Sequence, residues 1–268
     1  MNEGQPAVRT HQLTKRFTDV TAVDGVSIEV RAGEIFGLIG PNGAGKSTMI
    51  KILTTLLPPT SGTAWIAGAD ILTHPARVRR RIGYVPQAVS ADGALTGYEN
   101  LWISARLQNI PGTEQAARIE EALDAVGLRD VARTLTRRYS GGMIRRLEIA
   151  QSLLHRPAVL FMDEPTVGLD PVAHRAIWDD IDDLRRRYGM TMLITTHDMA
   201  EADAHCDRVG VMHLGRVVAI GTPAELKAQV GPAATLDDVF AEFTGSQIVT
   251  GGSYREVLRT RRTARRHS

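Results

Sequence analysis

A single cysteine in 268 residues, Cys206, excludes an internal disulfide and agrees with a reducing compartment. No stretch approaches the roughly 18 apolar residues of a membrane span. The longest apolar runs are short pieces such as "AVLFM" at 158–162. The polar N-terminus lacks the apolar core of a signal peptide, so export is not expected. Lysine is scarce, with only Lys15, Lys46, Lys51 and Lys227. A net charge of +2 is too small to imply a nucleic-acid partner. What the chain does have is 43% hydrophobic residues, enough to bury a core.

Basic residues gather at one end. "YREVLRTRRTARRHS" (254–268) carries six arginines against one glutamate, behind the linker-like "TGSQIVTGGS" (244–253). Residues 246–268 are therefore expected to be a linker and a solvated tail outside the fold. Its arginines are suited to contact with anionic lipid.

Patterning over the rest alternates between strand and helix. "AVRTHQLTKRF", "TAVDGVSIEV", "EIFGLIG", "RIGYVPQ", "AVLFMDE" and "TMLITT" read as strands, and "RVGVMHLGRVVAIG" as a hairpin. A helix is expected from Lys46 to about Leu56, stopped by Pro58-Pro59. Residues 89–157 read as a helical insertion. There Thr96 and Glu99 have capping-box spacing and Gly127 ends an amphipathic run. Asp170-Pro171 reads as an N-cap with proline in the first turn, and Asp198 with Glu201 as another capping box. Helices near 223–229 and 236–244 close an α/β domain that ends at about residue 245.

"GPNGAGKST" (40–48) matches G-x-x-x-x-G-K-[ST] between an expected strand and an expected helix, the context that the motif requires. Gly40, Gly43 and Gly45 let the loop formed with Pro41, Asn42 and Ala44 turn its amides inward on anionic oxygens. The helix N-terminus adds positive potential. Lys46 is placed for β- and γ-phosphates, and the hydroxyl of Ser47, beside Thr48, for Mg²⁺. Asp163 ends a buried strand where a carboxylate can hold Mg²⁺ through water. Glu164 beside it can polarise an attacking water.

A second small-residue stretch, Ser140-Gly141-Gly142, opens another expected helix nearly a hundred residues downstream. With it the sequence resembles the nucleotide-binding subunits of ABC transporters, from about residue 7 to 245. Five elements stand in that family's order: "GPNGAGKST", Gln87 in "YVPQ", "YSGGM", "LFMDEPTVGLD" and His197 in "ITTHD". The first and fourth alone fit many phosphate-loop ATPases; the serine-glycine-glycine signature makes the match specific. The resemblance implies a P-loop NTPase core, an antiparallel β subdomain and an inserted α-helical subdomain. It also implies ATP with Mg²⁺ as the ligand.

It assigns roles to the remaining residues as well. Gln87 would reach Mg²⁺ and water, His197 the γ-phosphate, and Asp170 the interface of a head-to-tail ATP-sandwich dimer with a second copy. Phe17 would stack on adenine, with Val23 as a neighbouring apolar wall. Tyr139 and Met143 replace the leucine and glutamine usual around the signature. "YSGGM" together with "TLDDVFAEFTG" (235–245) looks like the daunorubicin-resistance type of bacterial drug exporter. A separate transmembrane permease is then implied, and a place on the cytoplasmic face of the membrane. An importer subunit is the alternative within the family. Outside it, chromosome-maintenance ATPases need long heptad-patterned arms between phosphate loop and signature, and none is present. A GTPase reading lacks N-K-x-D.

Overall fold

A computed structural model describes residues 5–245, so the expected linker and tail at 246–268 lie outside the described residues. The chain opens with β1 (Val8–Arg16), β2 (Thr21–Val26) and β3 (Glu29–Val30), then enters β4 (Ile35–Ile39) and α1 (Lys46–Leu53). β5 (Ser61–Ile66), β6 (Ala69–Asp70), α2 (Pro75–Arg79) and β7 (Ile82–Val85) follow. Three helices come next: α3 (Gly97–Leu107), α4 (Gly112–Ala125) and α5 (Gly141–Leu153). β8 (Val159–Asp163), α6 (Pro171–Tyr188), β9 (Thr191–Thr196) and α7 (Met199–His205) return to alternation. The β10 (Arg208–His213) and β11 (Arg216–Gly221) hairpin precedes α8 (Pro223–Val230) and α9 (Leu236–Thr244).

Six strands in the order β11-β10-β4-β9-β8-β7 form a sheet that is parallel except at the hairpin. β2, β1, β5 and β6, with β3 on β1, make a second, antiparallel sheet. The apolar runs are buried on both faces, as parallel strands require. Alternate side chains then serve two cores. Ile35 and Ile39 of β4, Leu160 and Met162 of β8, and Met192 and Ile194 of β9 face the core shared with α3, α4 and α5. Phe36 and Leu38, Val159 and Phe161, and Leu193 face the core shared with α1 and the antiparallel sheet.

Three expectations change in detail. α1 stops at Leu53 rather than Leu56: Thr54 Oγ1 bonds back to Ile50 O at 2.8 Å and Thr55 turns left-handed, before the prolines are reached. "TAVDGVSIEV" is two strands, since Thr10 of β1 draws Ile28 N to its hydroxyl at 2.9 Å and breaks the ladder there. Asp198 caps α7, accepting from the N–H groups of Ala200 and Glu201, but the Glu201 carboxylate does not close a capping box. It turns inward, accepting from Thr166 Oγ1 at 2.6 Å and Thr196 Oγ1 at 2.7 Å and pairing with His174. The Thr96–Glu99 capping box forms as expected and starts α3 at Gly97.

Candidate nucleotide site

β4 lies in the middle of the parallel sheet, and the loop leaving its C-terminal edge is residues 40–45, at the sheet position where α/β proteins bind ligands. Gly40 and Gly45 have φ of 150° and 111°. A Cβ at Gly40 would overlap Met212 O, and one at Gly45 would overlap Ala22 O. The loop is thus held between β10 and β2 by backbone packing that admits no side chain. Asn42 and Gly43 are exposed at its crest, Pro41 is half-buried and Ala44 is buried.

Lys46, in the first turn of α1, is only 4% exposed. Its ammonium donates to Gly40 O at 2.7 Å and Pro41 O at 3.2 Å and faces Glu164 Oε1 at 3.6 Å. Burial lowers its pKa, while Glu164 and then Asp163 oppose that shift. Ser47 Oγ donates to Asp163 Oδ1 at 3.0 Å. β9 stands between β4, which leads through the loop into the helix of Ser47, and β8, which bears Asp163; its Thr195 Oγ1 donates to the same Oδ1 at 2.6 Å. Thr48 is half-buried behind Ser47.

Glu164 sits in the left-handed region with φ of 50°, and its N–H is shared between Thr195 O and Thr195 Oγ1 at 3.1 and 3.0 Å. Gln87 Nε2 donates to Glu164 Oε2 at 3.1 Å. His197 Nδ1 stands 3.4 Å from Glu164 Oε1 without the alignment of a hydrogen bond, and that buried atom has no other partner. One carboxylate therefore gathers Lys46, Gln87 and His197 from three other segments of the chain. The Asp163 charge and, chiefly, burial push the Tyr84 hydroxyl up to about 12, so it stays a neutral neighbour.

The remaining expected residues lie apart from that group. Phe17 is 48% exposed, with Lys15 Nζ 5.4 Å over its ring. Val23 is fully buried among the core residues of the antiparallel sheet, because β2 turns it inward. Ser140 caps α5, its Oγ accepting from Met143 N at 3.2 Å, and it is exposed together with Gly141. No hydrogen bond among the described residues joins it to the Lys46–Glu164 group. Gly142 is buried, and a Cβ there would come 2.9 Å from the Cβ of Ala173. Asp170 caps α6 alongside, accepting from Val172 N at 2.9 Å and Ala173 N at 3.0 Å. Tyr139 donates its hydroxyl to Val131 O at 2.8 Å, and Met143 packs on the helical core.

Sequence reasoning missed Thr195 and the buried Glu201 cluster. Hydroxyls at the end of the buried "ITT" strand were the available signal, since a strand interior has little use for them otherwise.

The donors fit a polyphosphate and a divalent cation. Lys46 spends its protons on carbonyls, Ser47 and Asp163 face one another, and a buried imidazole nitrogen is unsatisfied. Fold and site together define a phosphate-loop ATPase. The chain belongs to the ATP-binding proteins of ABC transporters: the ABC transporter family model matches residues 23–167. The daunorubicin/doxorubicin resistance ATP-binding protein DrrA of Streptomyces peucetius is 46% identical over 84% of this chain and 68% of its own length. The probable multidrug ABC transporter ATP-binding protein YbhF of Escherichia coli is 40% identical over 89% of this chain, which spans only 42% of that protein. A dimeric ATP-binding cassette structure in a post-hydrolysis state, bound to ADP and Pi, superposes with a TM-score of 0.71. It is 27% identical and covered to 98%, against 80% of this chain. No helix among the described residues is long and apolar enough to cross a membrane.

Proposed function

We propose that this chain is the ATPase subunit of a drug-type exporter, acting as a head-to-tail dimer on a separate permease at the cytoplasmic face of the membrane. The observation that carries the reading is the convergence of Lys46, Gln87 and His197 on the Glu164 carboxylate. Residues 40–48 hold the phosphates through amides and the Lys46 ammonium. Phe17 offers its exposed ring to the adenine. Ser47, Gln87 and Asp163 would hold Mg²⁺, which when bound neutralises phosphate charge. Glu164 accepts a proton from the attacking water as its oxygen bonds to the γ-phosphorus and the bond to ADP breaks. His197 orients the group being transferred.

Ser140 and Gly141 at the serine-glycine-glycine helix start are exposed, apart from this chain's own Lys46–Glu164 group, and shaped as an anion site. A second copy is the partner that brings it to the γ-phosphate, and the dimeric relative supports that arrangement. Export of a hydrophobic drug rests on the drug-resistance names of the similar proteins. For the permease, the segment 88–106, which follows Gln87, offers the exposed apolar side chains Val89, Trp102 and Ile103.

Two purified heterodimers test the shared site, with Ser140→Arg and Glu164→Gln as disabling changes. One pairs a Ser140→Arg chain with a Glu164→Gln chain; the other pairs wild type with a chain carrying both. Sites formed between chains leave one intact site in the first and none in the second. Hydrolysis confined to the second sinks the arrangement.

A further inference from the structure

α5 carries a buried ion pair that the site described above does not use. Arg145 and Glu148 are 6% and 2% exposed, with Nη1 and Oε2 3.0 Å apart. Both also bond to one loop. Arg145 donates to Pro86 O at 2.7 Å and Gln87 O at 3.3 Å. Glu148 Oε1 accepts from Ser90 N at 2.5 Å and Ser90 Oγ at 3.0 Å.

Burying two charges is expensive, and an apolar pair of similar volume closes a core as well or better. Burial pulls down the pKa of Arg145 against the opposing pull of Glu148. The pair therefore makes poor sense as a core stabiliser. The loop it grips explains it. Residues 87–90 are exposed and bury no side chain of their own, so these backbone bonds hold them to the body of the protein. Inside the gripped stretch is Gln87, whose side chain meets Glu164.

We propose that the Arg145–Glu148 pair positions Gln87 for hydrolysis, fixing it to the same helix that opens with Ser140. The pair touches no reacting atom; it acts through the loop. Arg145 anchors the backbone at Gln87 itself, and Glu148 anchors it three residues later. Gln87 is then presented at a set distance from the catalytic carboxylate. This rests on the reading of Gln87 as a group that acts in hydrolysis.

The test is a double-mutant cycle on the full-length chain. Arg145→Met with Glu148→Leu replaces the ion pair by apolar side chains, so the fold should persist with a Tm near wild type. Loss of loop position should lower kcat by about 10–100-fold, with KM for ATP within about twofold. Gln87→Ala should also lower kcat, and adding it to the paired substitution should cost nothing more, because both remove one function. A purely structural pair gives losses that multiply. Multiplying losses, or a wild-type kcat in the paired variant, overturns the proposal while leaving the site reading intact. An unchanged kcat in Gln87→Ala alone overturns both. Glu148→Gln, which keeps size and removes the charge, is the second variant should the apolar pair fail to fold. It should give a smaller loss that is equally non-additive with Gln87→Ala.

Discussion

The chain contains two small-residue loops that each open a helix, and they are built on different principles. At 40–46 the glycines serve backbone conformation: Gly40 and Gly45 occupy dihedrals and close approaches that a side chain cannot share. At 140–142 the backbone is ordinary, and Gly142 serves packing, keeping α5 close to Ala173 on α6. The first loop carries its own cation and meets two carboxylates. The second has one hydroxyl, no cation of its own, and open surface in front of it. The two loops look alike in composition; the difference lies in what the tertiary structure sets beside each.

The largest expected effect breaks the group around the first loop alone. Glu164→Gln should reduce hydrolysis by about 10²–10⁴-fold, with ATP binding preserved and an ATP-bound dimer accumulating, as read by turnover, nucleotide binding and size-exclusion chromatography. Near-normal turnover removes Glu164 from the role of base.

A pair of alanine substitutions separates the two uses of glycine. Gly45→Ala combines a left-handed φ with a backbone clash and should destabilise by about 1–3 kcal/mol, measured by denaturant unfolding. Gly142→Ala should cost about 1–3 kcal/mol through overpacking alone. Ala173→Gly should recover much of the second loss and none of the first. Equal rescue of both, or of neither, erases the distinction drawn here.

The smallest effect concerns the cap beside the second loop. Asp170 is held below the usual aspartate value of 3.8 by hydrogen bonds from Ala173 N and Val172 N. A carboxylate depressed in the folded state contributes stability that is present above 3.8 and lost as pH falls through its lower folded value. Asp170→Asn caps comparably at neutral pH. It should therefore leave Tm nearly unchanged at pH 7 and make the decline below pH 4 slightly shallower. An unaltered acid limb would show that this carboxylate does not couple folding to pH.

Much was legible because short-range rules bind strongly where they apply. The strand–loop–helix at 35–53, the caps at Thr96 and Asp170, and the stop at Gly127 each follow from local backbone chemistry. The order of motifs identified the family, and with it the residues gathered at the site. The burial of Val23 was not legible, because its neighbours in sequence do not reveal which face of β2 is covered. Glu201 misled because local spacing offered it a cap while burial offered it Thr166, Thr196 and His174.

By itself, then, the sequence determined the elements and the chemistry each could carry, since dihedral preference, capping and side-chain charge are properties of a few adjacent residues. Only the tertiary structure decided that Thr195 would join Asp163, that three polar groups would meet at Glu164, and that Arg145 and Glu148 would grip the loop of Gln87. Those contacts span tens of residues. They depend on strand order and on packing around two cores, where distance along the chain no longer measures distance in space.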